Sequence, residues 1–328
     1  MTTLDDIRQP VTAELADFGR MVERHFADDN SPVAEMLHYA LSSRGKGIRP
    51  MLVLLAALLN SRTGKAGTRA QLAALMVEMI HVASLIHDDV IDESAMRRGR
   101  PSVNARWQSR NAVVVGDYIL ARTMSIGLSS AQYDLVQHIT GAIAVLCEGE
   151  VLQSKHTSKR DTDRESYLEI IRRKTASLLA ISASAGAMAA GASDERVETM
   201  RMYGEALGMA FQIQDDILDY TAAGSVTGKS ACNDLREGKI TLPLIAVLEA
   251  SDQTRRMELL ELLERCREDD GAVAELCRTV VGEGGVETAA RTMYSYLHRA
   301  EALLADYDDS PAKRSLTGLC RYVGERDR

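Results

Sequence analysis

The sequence predicts an all-α protein, and three observations carry this prediction. The chain of 328 residues is 45% hydrophobic but only 4% aromatic, so its core is built mainly from aliphatic side chains and Met, which favours helices over sheets. Proline is rare, with 6 residues, and the alternation of β-branched residues that marks strands is absent. Apolar residues instead recur with a helical period near 3.6 residues. We therefore predict one domain over residues 1–328, a helical bundle around a deep central cavity.

Start signals and breaks divide the chain into successive helices. Thr68 and Gln71 fit a capping box at the start of a helix over 68–92, which has a clear apolar face. Thr162 and Glu165 fit a second capping box. The other predicted helices cover 3–27, 32–42, 50–60, 110–129, 131–155, 162–190, 194–220, 239–250, 253–267, 271–282, 285–306 and 310–324.

The pentad Asp-Asp-x-x-Asp occurs twice, each time at the end of a long apolar stretch. Its aspartates are Asp88, Asp89 and Asp92 in the first copy and Asp215, Asp216 and Asp219 in the second. On a helix, the first and last aspartates of each pentad lie one turn apart on one face, where unpaired charge is costly. Hard oxygen ligands without a nearby His/Cys set favour Mg²⁺, which usually completes its shell with water and substrate phosphates. The two pentads therefore predict a cradle for a diphosphate.

The context of the pentads separates them from other acidic pairs. Four further Asp-Asp pairs lie in polar stretches, which are typical of solvated surface. Basic, glycine-bearing stretches join the predicted helices at Ser43–Pro50, Met96–Asn104 and Gly224–Thr241. In a bundle these loops would lie near the carboxylates, so that charges of both signs would meet a metal–diphosphate complex.

Charge and cysteine usage narrow the class of protein. A net charge of −8 without a basic stripe argues against nucleic-acid binding. Five dispersed cysteines without a CxxC pair predict reduced thiols and a cytoplasmic protein; they are Cys147, Cys232, Cys266, Cys277 and Cys320. The N-terminus lacks the apolar core of a signal peptide, and the longest strongly apolar run, Met51–Leu59, is too short to span a bilayer. We expect no transmembrane segment and at most a peripheral membrane contact for product release.

Several motifs around the pentads form a recognisable set. They are GKGIRP (45–50), HDDVIDESAMRRGRPSVN (87–104), GEVLQ (149–153), KTASL (174–178), FQIQDDILDY (211–220) and GKSACNDLREGKITLP (228–243). In this order the chain resembles the trans-prenyl diphosphate synthases over nearly its whole length, and most of all their long-chain octaprenyl and solanesyl-type branch. The resemblance implies the all-α isoprenoid-synthase fold, a homodimer, and three Mg²⁺ ions per active site, for which Mn²⁺ can substitute. It also implies head-to-tail (1′-4) condensation of isopentenyl diphosphate onto an allylic prenyl diphosphate such as farnesyl diphosphate, for a quinone side chain.

The resemblance also assigns roles to single residues. The positions that match its principal metal ligands are Asp88, Asp92 and Asp215. Those that would assist through metal-bound water or a second layer of contacts are Asp89, Asp216 and Asp219. The positions that match the allylic diphosphate site are Arg97, Lys174, Lys229 and Lys239. Those that match the isopentenyl diphosphate site are Lys46, Arg49, His81 and Arg98. The pair whose oxygens would face the allylic cation is Thr175 and Gln212.

One position departs from the family pattern. Cys232 stands where the pattern GKxxGxDLxxGK has glycine, which would ease a tight turn. We therefore expect a less regular loop around Lys229.

Product length should depend on the residues that line the path behind the first pentad. Ala83 and Ser84, about one turn upstream, are small and should leave that path open for a product of about C30–C50. The deeper wall would include Met79 and Met76, with Met124 or Leu128 from the next helix. A geranylgeranyl (C20) product is the alternative if the methionines close the tunnel.

Three other functions compete with this interpretation. A terpene cyclase would not need a second complete pentad or the basic residues Lys46 and Arg49. A non-catalytic regulatory subunit should have lost carboxylates or basic residues, and none of those that match is missing. A structural scaffold would not explain paired carboxylates on apolar faces.

Overall fold

The prediction of an all-α fold is confirmed. A computed structural model describes residues 3–26, 31–42, 45–221 and 232–326, and within these ranges the chain forms sixteen α-helices and one two-stranded hairpin. The N-terminal helices are α1 (Leu4–Arg8), α2 (Thr12–Phe26), α3 (Ala34–Ser42), α4 (Ile48–Asn60) and α5 (Gly67–Ile91), with a 3₁₀ turn at Gln9–Val11. The middle elements are β1 (Met96–Arg97), β2 (Arg100–Pro101), α6 (Val103–Ser129), α7 (Tyr133–Lys159), α8 (Arg164–Ile171), a π-helical turn (Arg172–Ala176), α9 (Ser177–Ala189) and α10 (Asp194–Thr221). The C-terminal helices are α11 (Asn233–Arg236), α12 (Leu242–Ala250), α13 (Gln253–Arg265), α14 (Asp270–Gly282), α15 (Gly285–Ala302) and α16 (Pro311–Glu325).

Helix α9 lies at the centre of the bundle and positions the two helices that carry the pentads. It packs against α4, α5, α7 and α10. Its sequence, SLLAISASAGAMA, is rich in Ala, Ser and Gly, and most of its residues are buried. Small side chains allow neighbouring backbones to approach closely. The pentads of α5 and α10 are therefore held on two sides of the same helix.

Several helix starts differ from the sequence prediction. Helix α6 breaks at Gln108, which has φ +72°, and the part after the break follows the predicted range 110–129. The part before the break starts at Val103, where the Ser102 side chain caps it by accepting a hydrogen bond from the Ala105 N–H. Both predicted capping boxes are wrong. Helix α5 has no side-chain cap, and α8 is capped by Asp163, which accepts from the Ser166 N–H at 2.8 Å. The two motifs have the right residue types, but the N-cap of α5 lies two residues before the expected position and that of α8 one residue after it.

The cysteines differ from the prediction of five reduced thiols. Cys232 and Cys277 form a disulfide that joins the start of α11 to α14, with their Cα atoms 6.5 Å apart. Cys232 has φ +58°, in the left-handed region that favours glycine. The position therefore has the backbone of the glycine it replaces, and a partner on α14 fixes it. Cys266 and Cys320 are buried, and Cys147 is exposed.

The shortness of the apolar run Met51–Leu59 does not exclude a membrane-spanning helix elsewhere in the chain. By length and composition, α5, α6 and α7 each reach the level of an apolar membrane-crossing helix. Helix α5 lies inside the bundle, with 61% of its apolar window buried, whereas α6 and α7 bury 39% and 28%. The apolar residues that remain exposed thus lie mainly on α6 and α7.

Candidate active site

The first pentad lies at the C-terminal end of α5. The N–H of Asp92 donates to the carbonyl of Asp88 at 2.8 Å, so these two residues lie one turn apart as predicted. Burial raises the pKa of Asp88 from 3.8 to about 6, although the nearby Lys174 ammonium opposes this shift. A half-buried carboxylate that resists ionisation is the group that a bound cation would stabilise most.

The middle aspartate of this pentad has a different environment. Asp89 is 3% exposed, and its Oδ1 accepts hydrogen bonds from Nε and Nη2 of Arg97 at 2.9 and 2.6 Å. The hairpin β1–β2 is thereby tied to the end of α5. Arg97, which the resemblance places at the allylic diphosphate, has this carboxylate as its partner in the structure.

The second pentad occupies the C-terminal half of α10, and each of its carboxylates has its own partners. Asp215 accepts from Nη2 of Arg326 at 2.6 Å. Asp219 accepts from the backbone N–H groups of Asn233 and Asp234, both at 3.0 Å, and burial raises its pKa. The acidic groups of this helix are therefore held by contacts from the C-terminus and from α11.

Asp216 is the most deeply buried carboxylate of the second pentad. It is 4% exposed, and burial raises its pKa well above its usual range. Its Oδ2 accepts from the hydroxyl of Tyr167 at 2.6 Å, and its Oδ1 accepts from Nε2 of Gln212 at 2.8 Å. Both oxygens are thus engaged.

The π-helical turn between α8 and α9 connects the two pentads. Lys174 forms an ion pair with Glu150 of α7, with Nζ and Oε2 2.5 Å apart, and its charge acts on Asp88. The next residue, Thr175, donates from Oγ1 to Oε1 of Gln212 at 2.8 Å. Single π turns occur frequently at functional sites because they re-aim side chains within a helix. Through this turn Lys174 lies close enough to act on Asp88, and Thr175 is linked to Asp216 of the second pentad through Gln212.

A close approach of two helices makes room for this turn. A Cβ placed on Gly149 of α7 would lie 2.8 Å from both the Arg173 Cβ and the Lys174 backbone nitrogen. Any side chain at this position would push the π turn away from α7. The close approach of α7 to the π turn therefore explains why glycine stands at position 149 of the GEVLQ motif.

Several predicted site residues line one cavity of about 150 Å³. Lys174, Thr175, Gln212, Asp216 and Lys239 all contribute to it, together with Tyr167 and Asp234. Two larger cavities, of about 670 and 590 Å³, lie away from the pentads, against α2 and α6 and against α1 and α16. We assign the chemistry to the smaller cavity, because the carboxylates and the lysines meet there.

Basic residues form a second cluster beside α4 and α5. The guanidinium of Arg98 lies against Gly45, where an added Cβ would be only 2.5 Å from its Nη2. Burial lowers the pKa of Arg49, and burial with the charges of Arg49 and Arg98 lowers the pKa of His81 well below its usual range. His81 is therefore neutral near pH 7. Lys46 lies over the ring of Tyr322, with Nζ 5.5 Å from its centroid.

These four residues, matched by the resemblance to the isopentenyl diphosphate site, thus lie in one region. Lys229, in contrast, lies outside the described residues.

The described acidic side chains do not form a complete metal-binding site by themselves. Among the described residues, no three His, Cys, Asp or Glu side chains come close enough to hold a metal ion by themselves. The oxygens of Asp88, Asp92 and Asp215 are nevertheless of the hard type that suits Mg²⁺. Phosphate oxygens would have to complete the ligand set.

Sequence reasoning missed four residues of this site. Glu150 lies within the GEVLQ motif and Asp234 within the motif of residues 228–243, so both could have been found from the sequence. Tyr167 and Arg326 lie outside every motif. Their contacts to α10 arise from tertiary packing, and no local pattern could have revealed them.

Comparisons with known proteins identify the family of this chain. The family model described as polyprenyl synthetase matches residues 30–280. The heptaprenyl diphosphate synthase component 2 of Geobacillus stearothermophilus is 36% identical, over 96% of this chain and 96% of that protein. The octaprenyl diphosphate synthase of Escherichia coli K12 is 32% identical, over 99% of both chains.

Solved structures give the same result for the fold. A decaprenyl diphosphate synthase from Rhodobacter capsulatus has a TM-score of 0.91 at 33% identity, covering 99% of this chain and 100% of that one. A polyprenyl synthase from Caulobacter crescentus, complexed with calcium and isoprenyl diphosphate, has a TM-score of 0.90 at 31% identity, over 99% and 98% of the two chains.

The family match and the named relatives identify this helical bundle as a prenyltransferase. The chain belongs to the polyprenyl synthetase family, and its relatives at this level of similarity are prenyl diphosphate synthases. The family resemblance and the enzyme class predicted from the motifs are both confirmed.

The raised pKa of Asp88 predicts a stability cost that Asp88→Asn removes. Between about pH 4 and 6 the folded chain binds more protons at Asp88 than the unfolded chain, so this group lowers stability as pH rises through that window. Above pH 6 and without divalent ions, we expect Asp88→Asn to be more stable than the parent. Its free energy of unfolding should be higher by about 1–2 kcal/mol after allowing for partial exposure, so it should unfold at a higher temperature. The difference should vanish near pH 4. Thermal unfolding by circular dichroism measures it.

Asp308→Asn is the control, because Asp308 is exposed. It should leave the midpoint nearly unchanged at both pH values. An Asp88→Asn protein that is less stable than the parent at pH 8 would contradict the assigned cost.

Proposed function

We propose that this prenyltransferase condenses isopentenyl diphosphate head-to-tail (1′-4) with an allylic diphosphate such as farnesyl diphosphate, and that it makes a long-chain product of about C30–C50 for a quinone side chain. The observation that carries the proposal is the π-helical turn: the charge of its Lys174 acts on Asp88, and its Thr175 bonds Gln212, which in turn bonds Asp216. Charges that hold a diphosphate and oxygens that face a cation are thereby supplied by adjacent residues. The cytoplasm is kept as the proposed location, although the Cys232–Cys277 disulfide removes the argument from reduced thiols.

The departing diphosphate is the first group that the site must stabilise. Lys174 and Lys239 line the cavity and would hold its oxygens as negative charge grows on C–O cleavage. Bound divalent ions would supply further charge neutralisation, and the carboxylates of Asp88, Asp92 and Asp215 fit Mg²⁺ or Mn²⁺, three ions per site. Asp89, Asp216 and Asp219 have protein donors as partners, which suits a supporting role.

The allylic cation is the second such group. It reacts with water within a short time, so the pocket must exclude water. The oxygens of Thr175 and Gln212 would lie beside the delocalised charge. Isopentenyl diphosphate, held by Lys46, Arg49 and Arg98, would then attack through its double bond, and the proton lost afterwards would pass to the released diphosphate.

Product length is proposed from the path along α5. Ala83 is fully buried, and the Ser84 hydroxyl turns back to the His81 carbonyl at 2.9 Å, so this part of α5 presents only small side chains. Further down, Met76 is buried against Gly127 of α6. Met76 and Met79 therefore form the first bulky barrier. Leu128 is 52% exposed and is dropped as a lining residue.

The main alternative is a geranylgeranyl (C20) product, which follows if Met79 closes the tunnel.

A homodimer is proposed from the exposed apolar side chains of α6 and α7. They are Val113, Val114, Tyr133, Val145 and Val151. Exposed apolar side chains on two neighbouring helices favour an interface with a second copy. The relative from Geobacillus is one component of a synthase, so a different second subunit is the competing partner.

Activity of the purified chain tests the proposal. With farnesyl diphosphate, labelled isopentenyl diphosphate and Mg²⁺, it should give long products without a second protein, and chelator should abolish turnover. Asp88→Ala and Asp215→Ala should each lower turnover by orders of magnitude, because each removes stabilisation of the leaving group. Chromatography of the dephosphorylated products is the measurement.

Asp308→Ala serves as a control for the loss of a surface charge and should keep full activity. Near-normal turnover in both pentad variants would rule out the metal–diphosphate cradle. Activity that appears only after a second subunit is added would contradict the homodimer.

Chain length gives a separate prediction. In Ala83→Phe the ring should project toward the N-terminus of α5, down the tunnel and away from the pentad. The product should shorten to about C15–C20 with the first condensation largely retained, because the tail meets the ring only after it has grown. Ser84→Phe should act similarly. Folding is checked first by circular dichroism, since added bulk in a buried site costs about 1–3 kcal/mol.

The small-to-small change Ala83→Ser is the matched control and should leave the product distribution unchanged. If a folded, active Ala83→Phe enzyme made the parental products, the residue that limits chain length would be Met79, Met76 or Met124 instead.

A further inference from the structure

A buried chain of hydrogen bonds runs from the cavity to a residue without an assigned role. Thr175 donates to Oε1 of Gln212 at 2.8 Å, and Gln212 donates from Nε2 to Oδ1 of Asp216 at 2.8 Å. The chain ends at Tyr167, whose hydroxyl donates to Oδ2 of Asp216 at 2.6 Å. Tyr167 belongs to α8 and is 3% exposed.

The direction of each hydrogen bond in this chain is set by the next one. Both oxygens of Asp216 accept hydrogen bonds in the structure, so Gln212 presents its amide N–H₂ to this carboxyl group. The amide carbonyl of Gln212 then points to Thr175 and the cavity. Were Asp216 to rotate about its side-chain bonds, this constraint on the amide would be lost.

The second oxygen of Asp216 is where Tyr167 acts. With only Gln212 bonded, the carboxylate could turn around that single contact. The short bond from Tyr167 fixes the other oxygen, and the side chain of Tyr167 is itself immobilised by burial. A carboxylate gripped at both oxygens is a rigid reference point for the groups beyond it.

We infer that Tyr167 is a positioning residue, which locks Asp216 and through it orients the Gln212 carbonyl and the Thr175 hydroxyl toward the allylic cation. This inference rests on the proposed function. Tyr167 touches no substrate in this account. It acts through the side chains of Asp216 and Gln212. Its loss should therefore change the shielding of the allylic cation and not the binding of isopentenyl diphosphate.

Loss of this orientation should change how the cation is consumed. In the intact site the isopentenyl double bond supplies the electron pair for the new C–C bond, and a proton then leaves to diphosphate. In a loosened site water supplies the electron pair instead, which gives an allylic alcohol and one proton, with diphosphate as the leaving group in both cases. The ratio of alcohol to elongated product therefore reports the shielding directly.

The test compares Tyr167→Phe with Tyr203→Phe. Tyr203 is a buried tyrosine of α10 whose hydroxyl donates to the Leu316 carbonyl at 2.8 Å, outside the site, so it controls for the loss of one buried hydroxyl. Farnesyl diphosphate and labelled isopentenyl diphosphate are the probes. Tyr167→Phe should lower kcat about 10- to 100-fold, raise the alcohol fraction, and leave KM for isopentenyl diphosphate within about two-fold. Tyr203→Phe should change none of the three.

A double-mutant cycle with Thr175→Val tests the connection. The combined variant should be less impaired than the product of the two single effects, because both interrupt one chain. Folding is checked by circular dichroism, and if Tyr167→Phe does not fold, Tyr167→Met, which also lacks the donor, carries the same comparison.

Equal behaviour of Tyr167→Phe and Tyr203→Phe, or a change confined to KM, overturns the inference. A parent protein that makes no product overturns the proposed function instead, so the two failures are distinguishable.

Discussion

The burial of carboxylates at the ends of two helices is the constraint on which this site depends. Asp88, Asp216 and Asp219 all have their pKa raised by burial, so the fold holds them where ionisation is disfavoured. Burial of such groups is less costly where donors surround them, as they do at Asp216 and Asp219. The surrounding elements supply those donors from very different parts of the chain: the β-hairpin, α8, the start of α11 and the C-terminus.

The arrangement of donors divides the six aspartates into two kinds. Asp89, Asp216 and Asp219 are bonded to Arg97, to Tyr167 and to backbone N–H groups, so at least one oxygen of each is already occupied. Asp88 and Asp92 have no comparable donor set in the part of the chain that the structure describes. Asp215 has the guanidinium of Arg326, a cation that already stands at the second pentad. A bound cation is therefore needed first at Asp88, where it would lower the free-energy cost of the ionised carboxylate.

The sequence predicted those features that depend on local spacing. Carboxylates four residues apart on apolar helices fix one face without reference to the rest of the fold, and both pentads lie as expected. The π-helical turn was predicted as uninterrupted helix over 162–190, because its cause, the approach of α7 at Gly149, lies elsewhere in the chain. The partner of Cys232 is 45 residues away and that of Asp215 is 111 residues away. No pattern of periodicity or capping carries that information.

Calorimetric titration of Mg²⁺ into the protein, with and without an unreactive thio-linked allylic diphosphate, tests the central claim most directly. Because the described acidic residues form no finished metal site, Mg²⁺ alone should bind weakly, and the analogue should tighten its binding strongly. Asp88→Asn and Asp215→Asn should each abolish the tightening, whereas Asp308→Asn should not. Tight Mg²⁺ binding without the analogue, or tightening that survives both pentad substitutions, would contradict the account of buried carboxylates that await a metal–diphosphate complex.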